Sequence, residues 1–312
     1  MRVAVMGTGG IGGYFGALLA RAGHDVTLIA RGEHLEALRT RGLSLHSPVI
    51  GDITVSAPAT DRCGDVGTVD LVLMCVKTYD LESAAMQALP LVGPDTVVLP
   101  VQNGVDAAER LGRTLGDDRL LAGLTYVNAH RVAPGAIRHT TGERLVFGER
   151  AGGPRERTGA LREVFELAGI TAEVHPDIQL ALWEKFAAAC GAGAVPALTR
   201  LPIGPVLACA ETREFLHDAM AEAVAVGRAR GVGLPEDYAE RMMELFGGYP
   251  PSARSSMLED VEAGRRLELD ALTGTIVRLG RACGVQTPVN TAIYAALKPH
   301  VDGAPEVPAA AR

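Results

Sequence analysis

Two charged residues in the second half of the chain stand where apolar spacing predicts buried helix faces, and both can hold or move a proton. On a helix starting near Asp177, Ile178, Leu182, Lys185 and Ala189 form one stripe, and Trp183 and Phe186 broaden the apolar surface around it. An ammonium on such a face is partly desolvated, which disfavours its charged form and lowers its pKa. That suits a general acid delivering a proton to a carbonyl oxygen. The same spacing also fits a lysine that snorkels to the surface or pairs with an acid. Glu268 repeats the pattern, since Met257, Val261, Gly264 and Glu268 share a stripe that continues to Ala271 and Thr275. The spacing predicts one continuous helix there, beginning around Ser255. Ser256 and Glu259 fit a capping box at its start, so Ser256 is read as a cap, as a ligand-binding group at a helix N-terminus, or as both. Glu259, Asp260 and Glu262 read as a solvated face or as partners of Arg265 and Arg266.

A second set of residues lies at the N-terminus. Gly7-Thr8-Gly9-Gly10-Ile11-Gly12 has the G-x-G-x-x-G spacing, directly after the apolar run Val3–Met6 and at the opening of a helix. Gly7 permits the tight turn, Gly9 lets backbone approach a pyrophosphate, and Gly12 allows close helix–strand packing, while the helix N-terminus attracts phosphate. The strand–helix–strand unit Arg2–Arg31 has a suitable length for a dinucleotide site. Its second strand ends Leu28-Ile29-Ala30-Arg31, with no acid at the tip to accept from an adenosine 2′-hydroxyl; Asp25 lies at the strand's start. Arg31 offers a planar donor fork suited to a 2′-phosphate, so the expected cofactor is NADPH/NADP+, the alternative for Arg31 being a solvated surface arginine. Cys75-Val76-Lys77 and Gln102-Asn103-Gly104 fall where the third and fourth strands deliver residues to the carboxyl edge of a sheet. Lys77 is placed to meet a phosphate or a substrate carboxylate, and Asn103 to hydrogen-bond cofactor or substrate.

These residues need particular elements to carry them. Apolar runs at Arg2–Met6, Val26–Ala30, Val69–Val76, Thr96–Val101 and Leu120–Asn128 read as strands covered on both faces. Helical connections are expected over Ile11–Ala22, His34–Arg41, Leu81–Leu91 and Val105–Leu115. Ala136–Gly148 reads as further strand or hairpin, and Ala151–Pro154 as a surface loop. After about His175 long helical patterns punctuated by Gly and Pro take over. The fold class is therefore α/β: an N-terminal Rossmann-type, mostly parallel sheet domain over residues 1–174, followed by an all-α domain over residues 175–312. The tail Gly303–Arg312 is expected to fray.

Composition narrows the function classes. The 312 residues include 47% hydrophobic and 21% charged positions, an ordinary globular balance. A formal net charge of −7 argues against nucleic acid as a partner. The N-terminal apolar run is too short for a signal peptide or membrane span, so no membrane partner is expected. Five scattered cysteines without a C-x-x-C pair argue against a disulfide framework or zinc, and eight histidines show no ligand spacing. A reducing cytoplasm fits, with no metal.

Taken in order, these motifs resemble the ketopantoate reductase (2-dehydropantoate 2-reductase) family across nearly the whole chain. The resemblance is carried by Gly7–Gly12, Arg31, Cys-Val-Lys at 75–77, Gln-Asn-Gly at 102–104 and Trp-Glu-Lys at 183–185. It continues through Ser-Ser-Met-Leu-Glu-Asp at 255–260, Arg-Arg-Leu-Glu-Leu-Asp at 265–270 and Gly-Val-Gln-Thr-Pro at 284–288. It implies reduction of 2-dehydropantoate to (R)-pantoate by NADPH, on the route to pantothenate. Lys185 would be the proton donor, and Glu268 would assist catalysis and position cofactor or substrate. Asn103 would touch nicotinamide and substrate, and Ser256 would help bind the 2-oxo acid. A homodimer is compatible with the helical half.

The chain departs from the family pattern beside the lysine. The family has asparagines four and eight residues after it, where this chain has Ala189 and Gly193, and Ala253 stands where another asparagine precedes the Ser-Ser-Met run. Hydrogen-bonded recognition carries the largest discrimination between substrates, so these losses bear on selectivity rather than on reaction class. Two alternatives stay open: a paralogue reducing a different 2-oxo acid, ketone or imine with NADPH, and a non-catalytic NADP(H)-binding regulator.

Overall fold

A computed structural model describes residues 1–305; residues 306–312, which hold most of the tail expected to fray, lie outside the described residues. The chain divides into two compact units, Met1–Ala181 and Leu182 onward, with the division falling inside one helix.

The first unit opens with β1 (Arg2–Met6), α1 (Gly10–Arg21), β2 (Asp25–Ile29) and α2 (Gly32–Arg41). Short strands β3 (Leu43–His46), β4 (Ile53–Val55) and β5 (Ala59–Thr60) follow, then β6 (Leu71–Met74), α3 (Leu81–Ala88), β7 (Val97–Pro100) and α4 (Ala107–Leu115). The remainder is β8 (Leu121–Thr125), β9 (Asn128–Ala133), β10 (Ala136–Thr141), β11 (Arg144–Glu149), α5 (Glu156–Leu167) and β12 (Thr171–Val174). Strand order β5-β2-β1-β6-β7 makes a sheet whose every pairing is parallel, the Rossmann-type arrangement. Its central strands are buried on both faces, which is why they read as unbroken apolar runs. One face packs Val5, Leu28 and Leu73 against α1 through Phe15, Leu18 and Leu19, and the other packs Ala4, Val72 and Met74 against α3 and α4.

The expected strand over 120–128 is two strands in two different sheets. β8 joins a three-stranded sheet, β12-β11-β8, while β9 belongs to a four-stranded one, β4-β3-β10-β9. The break has a local cause: Thr125 Oγ1 accepts the Val127 N–H at 3.1 Å and donates to the Arg144 carbonyl, removing that amide from the ladder. Spacing gave no notice of β3–β5, α5 or β12. The helix α5 buries only Thr158, Leu161 and Phe165, and it is anchored by Arg157 gripping buried Glu149 with both Nε and Nη2, at 2.7 and 2.5 Å.

The second unit is helical throughout the described residues. α6 (Ile178–Ala192) runs into it, followed by α7 (Ala194–Thr199), α8 (Ile203–Ala208) and the long α9 (Ala210–Ala229). Then come α10 (Tyr238–Gly247), α11 (Ser256–Glu262), α12 (Thr273–Cys283) and α13 (Pro288–Leu297). The Gly-Val-Gln-Thr-Pro segment is a joint between helices. Gly284 ends α12 at φ +73°, and Pro288 opens α13, where a missing N–H costs nothing. The Glu222 carboxylate on α9 then accepts the backbone N–H groups of Val289 (2.7 Å) and Asn290 (2.8 Å) at the positive end of α13. Among the described residues no helix is long and apolar enough to cross a membrane.

Candidate active site

The glycine turn has the shape its residue types require. Gly7 sits at φ +92°, and a Cβ there would stand 2.8 Å from Val76 Cγ1 and 2.9 Å from the Val76 nitrogen. A Cβ on Gly12 would strike the Gly7 carbonyl, and one on Gly10 the Ala129 carbonyl of β9. Only glycine fits at all three places. Gly9 is the contrast: it has φ −79° and an added Cβ would meet nothing within 4 Å, so the turn is open there to an incoming group. The turn is tied to β2, because Gly7 N, Thr8 N and Thr8 Oγ1 all donate to the Ile29 carbonyl, at 3.3, 3.0 and 3.1 Å. Ile11 is half-buried in the first turn of α1.

Arg31 lies two residues past β2, at the N-cap position of α2, exposed and donating from Nη2 to Gln87 Oε1 at 3.1 Å. Asp25, at the other end of β2, faces Arg2 at 3.6 Å. Lys77 follows β6 and is exposed, and Asn103 follows β7 and is half-buried. These two strands are laced together at this edge by Gln102, whose Nε2 donates to the carbonyls of Met74 (2.8 Å) and Val76 (3.1 Å). Gln102 is thus a positioning group that spacing alone did not single out, since a polar residue at a strand end carries no mark of where its side chain is used. Gly7–Gly12, Arg31, Lys77 and Asn103 all belong to the carboxyl end of the parallel sheet, where β1, β2, β6 and β7 terminate.

In the second unit, α6 turns Trp183, Phe186, Ala187 and Cys190 fully inward. Lys185 lies at the flank of that face with Ala188, Ala189 and Ala192, all half-buried, rather than at its centre. Burial pushes the Lys185 ammonium down to about 8, against the opposing pull of the Glu268 carboxylate, which favours the charged form. A lysine poised there is protonated at neutral pH yet gives up its proton far more readily than an exposed one.

The continuous helix expected through Glu268 is not formed. α11 stops at Glu262, and Gly264 takes φ +62° while its N–H donates to Val261 and that of Arg265 donates to Asp260. A glycine in the left-handed region reverses the chain, and Leu267 N is then held by the Val301 carbonyl at 2.9 Å. Glu268 therefore stands before a short 3-10 turn, Leu269–Ala271, that leads into α12. The cap is corrected too. Ser255, not Ser256, is the N-cap of α11: its Oγ accepts from Leu258 N at 3.1 Å and donates to the Gly193 carbonyl at 2.9 Å. Ser256 is the first helical residue and is exposed, which releases its hydroxyl from capping. With two adjacent serines, local spacing does not tell which one caps; the Gly193 carbonyl, 62 residues away, decides it. Asp260 is engaged by Arg265 Nε at 2.7 Å, as one of the sequence readings has it, whereas Arg266 reaches Asp302 at 3.3 Å.

Both units find relatives. The family model described as ketopantoate reductase PanE/ApbA matches residues 3–152, and its C-terminal counterpart matches residues 177–301. The 2-dehydropantoate 2-reductase of Halobacterium salinarum is 34% identical over 292 residues, covering 93% of this chain and 95% of its own. That of Mesorhizobium japonicum is 32% identical over 320 residues, covering 96% and 97%. A crystal structure of a PanE/ApbA family ketopantoate reductase from Ralstonia eutropha superposes with a TM-score of 0.89 at 36% identity, covering 96% of this chain and 98% of that one. Two family models spanning both units, with relatives aligned nearly end to end, place the chain in the ketopantoate reductase PanE/ApbA family of oxidoreductases.

Proposed function

We propose that this chain binds NADPH at the glycine turn and reduces 2-dehydropantoate to (R)-pantoate, with Lys185 as the proton donor. The observation that carries the reading is Lys185 itself: a half-buried ammonium held down to about 8, beside the Glu268 carboxylate, on a helix whose flank is otherwise alanine. The turn fits a dinucleotide, because it is closed to side chains at Gly7, Gly10 and Gly12 and open at Gly9. Reduced nicotinamide, when bound, supplies the hydride that reaches C2 of the 2-oxo acid. Gly9 and the first amides of α1 would hold the pyrophosphate, Arg31 the 2′-phosphate, and Lys77 and Asn103 would contact cofactor or substrate. The Lys185 ammonium stabilises negative charge growing on the ketone oxygen and then transfers its proton there, leaving a neutral amine and the product hydroxyl. Glu268 keeps Lys185 charged until that moment and helps position the reactants. Ser256, exposed at the start of α11, is assigned to the substrate's polar groups. A cytoplasmic place for this chemistry agrees with five cysteines that are all free thiols.

The run Ala188, Ala189, Ala192 and Gly193 favours a second reading, in which the same machinery prefers a 2-oxo acid with an apolar side chain over one whose hydroxyl must be bound. Both are separated by following NADPH absorbance with 2-dehydropantoate and with a panel of other 2-oxo acids. Turnover of 2-dehydropantoate at the highest kcat/KM supports the first reading; faster turnover of an unhydroxylated acid replaces it with the second. Tight NADPH binding without oxidation by any acid would make the protein a regulator. In the same assay, Arg31→Ala is expected to weaken NADPH binding about tenfold while NADH binding stays within about twofold, the loss of a charge-assisted contact to one phosphate. Equal affinity for both dinucleotides in wild type and variant would remove Arg31 from cofactor selection.

A further inference from the structure

We infer that His34, which lies outside the glycine turn, is a positioning residue for the dinucleotide, setting the direction of the Gly9 N–H by holding the Thr8 carbonyl. This rests on the reading of the glycine turn as the cofactor site. His34 sits in the first turn of α2 and is buried, with 4% of its surface exposed. Its Nε2 lies 2.6 Å from the Thr8 carbonyl, and its Nδ1 lies 2.9 Å from the backbone nitrogen of Gly135, in the turn joining β9 to β10. The Gly135 N–H is a donor only, so Nδ1 must accept, and the ring proton is on Nε2, which donates to Thr8. Burial depresses the imidazole pKa, and the neutral ring this favours is the form able to donate at one nitrogen and accept at the other.

The consequence for the turn follows from peptide geometry. In a planar trans peptide the carbonyl and the next N–H point in opposite directions. Fixing the Thr8 carbonyl toward His34 therefore fixes the Gly9 N–H away from it, at the residue where the turn is open. Thr8 is tied on its other side through its N–H and hydroxyl on the Ile29 carbonyl, and Gly9 is tied through its carbonyl, which accepts the Gly13 N–H at 2.7 Å. The imidazole thus holds the carbonyl of the peptide plane between these two anchors. The other end of the ring is equally well anchored. Gly135 is held at φ +80°, and its carbonyl accepts the Ser44 N–H at 2.9 Å, so the four-stranded sheet serves as the fixed mount for the histidine.

Two conservative variants separate positioning from bulk stability. His34→Gln places an amide NH2 near the Nε2 position and keeps a donor for Thr8; His34→Asn reaches only the Nδ1 position and keeps an acceptor for Gly135. Each loses one hydrogen bond, so a purely structural histidine predicts similar melting temperatures and similar affinities for both. Titration of NADPH by nicotinamide fluorescence is expected to show His34→Asn weakened about tenfold and His34→Gln within about threefold of wild type, with kcat at saturating NADPH changed less than about threefold in either. Unchanged affinity in His34→Asn, or equal weakening in the two variants, overturns the proposal. If His34→Asn has no cooperative melt, His34→Gln decides alone: affinity within threefold supports the role, and a tenfold loss at a wild-type melting temperature overturns it. Wild-type protein that binds neither NADPH nor NADH overturns the cofactor reading, and with it this one.

Discussion

Lys185→Ala is expected to lower kcat by about 10³-fold, within the range that general acid catalysis supplies, while the Kd for NADPH moves less than about threefold. The asymmetry is the test, because the lysine is assigned to the substrate's oxygen and not to the cofactor. A variant with an unchanged rate would take Lys185 out of the reaction, and one that lost cofactor binding and rate together would make it a structural residue. The pH profile checks the same assignment without a mutation at the lysine. A general acid works only while protonated, and Lys185 is held at about 8 in the free protein. Thus kcat/KM should be level below that pH and fall about tenfold per unit above it. Glu268 opposes the downward shift. Removing its charge in Glu268→Gln should therefore move the break to lower pH, in addition to any loss of rate. A break that stays in place, or moves up, would mean that the carboxylate does not act on the lysine.

Gly12→Ala carries the second large effect, at the cofactor end. The added methyl would run into the Gly7 carbonyl and stand 3.0 Å from Val5 Cγ1 and 3.1 Å from Cys75 Cβ. The nearest obstacle is backbone and cannot rotate aside, so the turn itself must open. Forcing extra volume into such a place costs about 1–3 kcal/mol, and thermal melting should fall by several degrees. NADPH binding should weaken by about 30-fold or more, since the displaced atoms are those assigned to the pyrophosphate in the proposed cofactor site. Gly9→Ala is the matched control. Its Cβ meets no atom within 4 Å, so beyond the small cost of alanine at the N-cap of α1 its melting temperature should fall less than that of Gly12→Ala, and a loss of NADPH affinity then reports direct contact at Gly9. A Gly12→Ala protein with normal melting and normal binding would show that the turn is not packed as described.

Much of this was legible in the sequence because it is local. The strand–turn–helix signature at Arg2–Arg21 needs only neighbours in the chain, and β1, α1 and β2 lie within one residue of where apolar spacing puts them. The start of the Ile178–Ala192 helix near Asp177 was equally legible, but the spacing puts Lys185 within its apolar stripe and the structure puts it at the flank. Other elements were illegible for identifiable reasons. The stripe from Met257 to Thr275 keeps helical spacing through Gly264, but spacing does not register that this glycine adopts φ +62° and turns the chain. The run 120–128 is apolar enough for one strand, yet a single threonine hydroxyl bonded to Arg144 splits it between two sheets.

By itself the sequence determined the order of the main strands and helices of the parallel sheet, the glycine turn with an arginine and no acid at the end of the following strand, and a lysine set among apolar residues at 185. Tertiary structure decided how those groups are held. It chose Ser255 over Ser256 as the cap through a carbonyl 62 residues away, and gave Gln102 its lacing role at the sheet edge. It also set His34 between Thr8 and a turn 101 residues further along, and turned an ordinary ammonium into one held at about 8. The physical reason is common to all four. Residue type and spacing specify which face of a helix or strand is apolar, because that depends on the chain's own periodicity. Hydrogen-bond partners and desolvation depend on which distant backbone folds against the side chain, and no local pattern encodes that.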